Sequence, residues 1–97
     1  MIIRNVIISE RIQEKLWSKH LVNYFEVEEV FSNYPYFEFR ERGKVISDED
    51  IYSAWGRTNS GRYLIVFFIY KLNQDALIMS AREMNKNERK HYAKARH

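Results

Sequence analysis

Eight consecutive apolar residues, Tyr63-Leu64-Ile65-Val66-Phe67-Phe68-Ile69-Tyr70, stand between two turn signals, Thr58-Asn59-Ser60-Gly61 and Leu72-Asn73-Gln74-Asp75. The run is rich in β-branched and aromatic side chains and shows no apolar–polar alternation. It therefore predicts a strand covered on both faces, near the centre of a sheet. It is much shorter than the ~20 residues that a membrane-crossing helix requires. The segments on either side, Ile51 to Arg57 and Ala76 to Arg82, are also β-rich. Three such segments joined by short turns predict an antiparallel meander. Arg57, Arg62 and Arg82 lie at the ends of its strands, so the sheet supplies stability and its charged rim is where function is to be sought.

The remaining composition sets the frame around that sheet. Ninety-seven residues, 45% hydrophobic and 15% aromatic, suffice for one small core, and 1–97 reads as a single domain. There is no cysteine, which excludes disulfides and thiolate metal sites and fits a reducing compartment. The N-terminal Met1-Ile2-Ile3-Arg4-Asn5 lacks the apolar core of a signal peptide, and a soluble cytoplasmic protein is expected. The net charge of +3 is unevenly distributed. Residues 26–50 hold eight acidic and three basic groups, whereas residues 82–97 hold six basic and two acidic. Two such surfaces suit two kinds of partner, the basic end a polyanion. The plainer account of the acidic segment is ordinary solvated charge.

Along the chain, Asn5 to Ile8 predicts a short first strand. Ser9 is a candidate N-cap for a helix whose apolar positions Ile12 and Leu16 lie four apart, with His20 next in the series. Asn23 and Glu26 have capping-box spacing before a second helix with Val27, Val30 and Phe31 as its stripe. Asn33-Tyr34-Pro35 ends it. Tyr36 to Arg42 alternates and predicts a half-buried strand near a sheet edge. Asn85 and Glu88 repeat the capping spacing before a last helix, roughly Lys86 to Arg96, which has little to bury beyond Tyr92, Ala93 and Ala95. The class is α+β: a small antiparallel sheet of about four strands plus a short N-terminal strand. Two N-terminal helices pack on one face, and a C-terminal helix follows.

His20, His91 and His97 have no metal-ligand spacing, and no glycine-rich phosphate loop or nucleophilic triad is discernible. Neither a metal nor a cofactor is expected. What remains is a set of cations with one histidine and one tyrosine: Lys19, His20, Arg57, Arg62, Arg82, Arg89 and Tyr92. Arg82 directly follows a strand and precedes a helix start, where a guanidinium fork and free backbone amides can together hold a phosphate. Around bound RNA, such cations stabilise a phosphorane while a ribose 2′-hydroxyl attacks. The alternative is that these arginines pair with the abundant glutamates and only keep the sheet soluble. A lone histidine such as His20 is more often structural, although its titration range suits proton transfer.

Several short stretches in order resemble one family: Lys19-His20-Leu21-Val22, Glu28-Glu29-Val30-Phe31, Ala54-Trp55-Gly56-Arg57-Thr58 with Gly61-Arg62, Ile78-Met79-Ser80-Ala81-Arg82, and Glu88-Arg89 with Tyr92. The chain resembles the BrnT-type ribonuclease toxins from Glu10 onward. The resemblance implies a RelE-like fold and an endoribonuclease acting as the toxic half of a type II toxin–antitoxin pair. It also implies a BrnA-type antitoxin partner, with DNA reached only through that partner and no membrane. By matching position it implies catalytic roles for His20, Arg57 and Arg82, with Lys19, Arg89 and Tyr92 in support; Arg62 joins the RNA-binding set from its place in the hairpin. The family usually has glycine after Lys-His, whereas this chain has Leu21. A positive φ at that corner would be costly for leucine. The competing functional class is a non-catalytic module of the same fold that only binds an antitoxin or RNA.

Overall fold

A computed structural model of the chain describes residues 1–44 and 47–96. The elements follow as β1 (Val6–Ile7), α1 (Glu10–His20), α2 (Tyr24–Ser32), β2 (Tyr36–Glu41), β3 (Ile51–Arg57), β4 (Tyr63–Tyr70), β5 (Ala76–Glu83) and α3 (Lys86–Ala95). One five-stranded sheet has the order β1-β5-β4-β3-β2, with the apolar run β4 at its centre. β2 to β5 pair antiparallel as the expected meander, and β1 joins β5 in parallel, so the complete sheet is mixed. The parallel pairing follows from the connection: β1 and β2 occupy opposite edges, and α1 and α2 carry the chain between them across one face.

β4 is covered on both sides, as an unbroken apolar strand requires. Leu64, Val66 and Phe68 pack with Leu16 of α1 and with Val22, Val27 and Val30, all of them buried. Ile65 points the other way, into a smaller cluster with Trp55, Met84 and Tyr92 of α3. The two N-terminal helices thus share the first face, and α3 lies on the second.

Local chemistry sets the helix ends. The Ser9 hydroxyl accepts the backbone N–H of Ile12 at 3.2 Å and caps α1. At the start of α2 the Asn23 N–H donates to Glu26 Oε1 at 3.0 Å, the reach-back bond of the predicted capping box. Between these helices Leu21 adopts φ 52° and ψ 41°, the left-handed region. Its N–H donates to the carbonyl of Trp17 at 3.0 Å, and the Val22 N–H to that of Leu16 at 3.2 Å. The corner therefore has the left-handed cap that favours glycine, and a leucine that is 61% exposed carries the strain.

A bulge in β5 decides the geometry of the second face. Phe67 pairs with Ser80, but Phe68 pairs with Ile78, so Met79 is the extra residue. Strict alternation from Ile78, which faces α1 and α2, would send Arg82 to the same side. With Met79 unpaired, Ala81 enters the first core and Arg82 stands opposite Ile65 on the α3 face.

Candidate functional site

The second face can be read across the strands. One row runs Tyr36, Trp55, Ile65 and Arg82; the next runs Glu38, Ser53, Phe67 and Ser80; Arg57 pairs with Tyr63 at the end nearest the Thr58–Gly61 turn. Aromatic rings floor this face and guanidinium groups lie over them. The Tyr63 ring has the Arg57 guanidinium carbon 4.9 Å and that of Arg89 4.1 Å from its centroid. The Phe67 ring has those of Arg40 and Arg82 at 5.5 and 5.7 Å. An aromatic face carries negative potential and holds these cations without neutralising them. Buried Trp55 donates its indole N–H to the Ser53 hydroxyl at 2.7 Å, so the floor leaves no indole donor unpaired.

α3 completes the site from above. The Asn85 side chain accepts the Glu88 N–H and the Glu88 carboxylate accepts the Asn85 N–H, both at 2.8 Å, a reciprocal cap that fixes the first turn. The same carboxylate takes a fork from Arg82: Nη1 and Nη2 each donate at 2.8 Å, and Nη1 also donates to the Glu83 carbonyl at 3.2 Å. Arg82 thus uses three of its five N–H donors internally. The Arg82 fork, more than the cap, holds the Glu88 carboxyl down at about 2, and Glu88 in turn raises Arg82. One helical turn on, His91 donates to Glu38 Oε2 at 2.9 Å, and Tyr92 is buried against Tyr63 with its ring edge-on, 6.1 Å between centroids. α3 is therefore fastened by more than its few apolar residues suggested: one tyrosine and two polar ties secure it to the sheet.

The seven candidates divide between the two faces. Arg57, Arg82, Arg89 and Tyr92 come together on the second face. Arg62 turns toward the first layer, where Nη1 donates to both Glu26 oxygens at 3.0 Å and to the Leu21 carbonyl at 2.9 Å, and Nη2 lies 3.5 Å from Glu83. It clamps the corner between α1 and α2 to the sheet. Lys19 and His20 close α1, which packs on the first face, so the sheet separates their layer from Arg82 and α3.

Three residues on this face were not among the sequence candidates: Glu38, Arg40 and His91. Glu38 accepts from His91, from the Tyr36 hydroxyl at 3.0 Å and from Arg40 at 3.3 Å. The bond from His91, more than any other contact, holds its carboxyl below the ordinary range. Burial and the neighbouring carboxylate push the Tyr36 hydroxyl up. Alternation in β2 could have set Glu38 apart as a glutamate on an aromatic strand, but its partner is 53 positions away. Among the described residues, no three His, Asp or Glu side chains are grouped to hold a metal, and no helix is long and apolar enough to cross a membrane. His97 lies outside the described residues.

A family model described as ribonuclease toxin, BrnT, of type II toxin–antitoxin system matches residues 9–88. That match spans most of the chain, from the N-cap of α1 to the glutamate that grips Arg82. The class is that of the toxin in a two-protein system, which implies an antitoxin protein as partner. The chain belongs to the BrnT family of ribonuclease toxins. No curated protein matches it.

Proposed function

We propose that this chain is an endoribonuclease that cleaves RNA by attack of a ribose 2′-hydroxyl on the adjacent phosphate, with its own arginines as the charge-stabilising groups. The observation that carries the reading is the convergence of Arg57, Arg82 and Arg89 over the Tyr63 and Phe67 rings on the second face. As the 2′-oxygen bonds to phosphorus and the 5′-oxygen departs, charge builds on the equatorial phosphate oxygens. Guanidinium groups fixed before the reaction lower that barrier without reorganising. The aromatic floor offers stacking to an unpaired base, and the same rings hold the arginines in place. Arg82 and Arg57 are the catalytic cations, Arg89 and Tyr92 support them, and Lys19, His20 and Arg62 belong to the neighbouring layer. The toxin acts in the cytoplasm, arrests growth by blocking translation, and is neutralised by a BrnA-type antitoxin through which the pair reaches DNA.

Replacing Arg82 with alanine tests this. Cleavage of RNA in EDTA by the wild type, and its loss by at least about a hundredfold in Arg82→Ala with an unchanged circular dichroism spectrum, is the expected result. Full activity in the variant removes Arg82 from the mechanism. A second reading has one specific observation in its favour: Glu88 already occupies the Arg82 fork, as it would in a module that binds but does not cut. RNA retained by the wild type but left intact, alone or on translating ribosomes, selects that reading.

A further inference from the structure

Resting on the RNA-cleavage reading, we infer that His91, held by Glu38, is the proton-transfer residue of this site: its free ring nitrogen takes the proton of the attacking 2′-hydroxyl. His20 belongs to the layer across the sheet, whereas His91 projects from α3 onto the face that carries Arg82, where it meets the Trp55 and Tyr36 rings beside the Phe67 ring under Arg82. Its ring lies edge-on to Trp55 at 5.1 Å and to Tyr36 at 6.1 Å between centroids. It is one helical turn from Glu88, which grips Arg82, so the two side chains are neighbours on one face of α3. Half of the His91 side chain is open to solvent, which leaves room for a substrate.

The tautomer follows from the partner. An ionised carboxylate only accepts, and Glu38 is kept ionised by the His91 bond first and by the Tyr36 hydroxyl and Arg40 besides. Nε2 therefore carries a hydrogen and donates it to Glu38 Oε2, and Nδ1 of the neutral ring presents a lone pair. When Nδ1 takes the 2′-proton, the bond from the 2′-oxygen to phosphorus forms and the bond to the 5′-oxygen breaks. The departing 5′-oxygen takes a proton from water, and the imidazolium returns its own to solvent, so the exchange balances. The products are a 2′,3′-cyclic phosphate and a 5′-hydroxyl. Glu38 acts through His91 by fixing the tautomer and stabilising the imidazolium; it is a positioning residue. Arg40, which bonds Glu38, keeps that carboxylate charged.

The titratable and charged groups around His91 are Glu38, which bonds it, Tyr36 and Arg40 from β2, Arg82 from β5, and Glu88, Lys90 and Lys94 of its own helix. Cleavage of a defined RNA by the full chain, followed over roughly pH 5 to 9, tests the assignment. The wild-type rate should rise with pH through a histidine ionisation. His91→Asn should lose at least about a hundredfold and the rising limb with it. Glu38→Gln should keep the limb but shift its midpoint downward, because the imidazolium has lost its anionic partner. An undiminished rate or a persisting limb in His91→Asn overturns the assignment, as does an unmoved midpoint in Glu38→Gln should His91→Asn not fold. Loss of cleavage in Arg82→Ala together with full activity in His91→Asn overturns this inference alone. A wild type that cuts neither free RNA nor messenger on ribosomes overturns the cleavage reading as well.

Discussion

The two faces of this sheet are built from the same five strands and are held by different chemistry. The first face is closed by two helices over an apolar interior in which Leu64, Val66 and Phe68 meet Leu16, Val27 and Val30. The second is half covered by one ten-residue helix, and much of what binds that helix is polar: Arg82 to Glu88 and His91 to Glu38. Burial of apolar area is non-directional and strong, whereas ion pairs this close to solvent contribute little and respond to pH and salt. Stability should therefore reside in the first face, and the second should be open to competition from ligands. An anion that displaces Glu88 from Arg82 exchanges one charge-assisted pair for another, so the site can change partners at small cost while the core is untouched.

The greatest effect should come from the first face. Phe68 is completely buried and packs edge-on against both Phe31 and Phe37. Phe68→Ala should cost about 3–5 kcal/mol, read as a shift in the urea midpoint at constant slope. A loss comparable with that of a surface substitution would mean that the two faces do not differ as described.

The second face should instead reveal itself through acid. Glu88 is displaced from its ordinary value of 4.5 to about 2 by the Arg82 fork and the Asn85 cap. A depressed carboxyl stabilises the folded form fully above 4.5, and that contribution is lost as pH falls toward 2. Acidification should weaken α3 before the core, with a loss of about 1–2 kcal/mol after allowing for the partial exposure of the pair. Helical circular dichroism followed from pH 6 to pH 2 (roughly the window that brackets the shift) checks this, and Glu88→Gln should flatten the response.

The difference between the faces also governs how much could be read from the residues. The first face follows local rules: an unbroken apolar strand, stripes at helical spacing, and caps at Ser9 and Asn23. These signals lie within a few residues of one another, so they survive without knowledge of the fold. Arg57, Arg82 and Arg89 were legible as a basic set with Tyr92 beside them, but the side on which Arg82 stands depends on Met79, a single unpaired residue that reverses the alternation of β5. A bulge of this kind has no composition of its own, since methionine suits a regular strand position equally well. The Glu38–His91 bond and the turning of Arg62 toward Glu26 join residues far apart in sequence, and neither member of either pair points to its partner by local spacing.

The smallest expected effect lies at the corner that joins the two N-terminal helices, and it runs in the opposite direction. Leu21 has φ 52°, where a Cβ crowds the following carbonyl. Its side chain is largely exposed and so gains little from packing to offset the strain. Leu21→Gly should stabilise by about 1 kcal/mol, the relief of left-handed strain less the larger entropy of an unfolded glycine. Thermal unfolding at neutral pH measures it, and RNA cleavage should be unchanged, because Leu21 touches the first layer and Arg62 bonds only its backbone carbonyl. If the variant is stabilised but loses RNA cleavage, the Lys19–Leu21 corner belongs to the working surface, and the separation of a stabilising face from a functional one fails there.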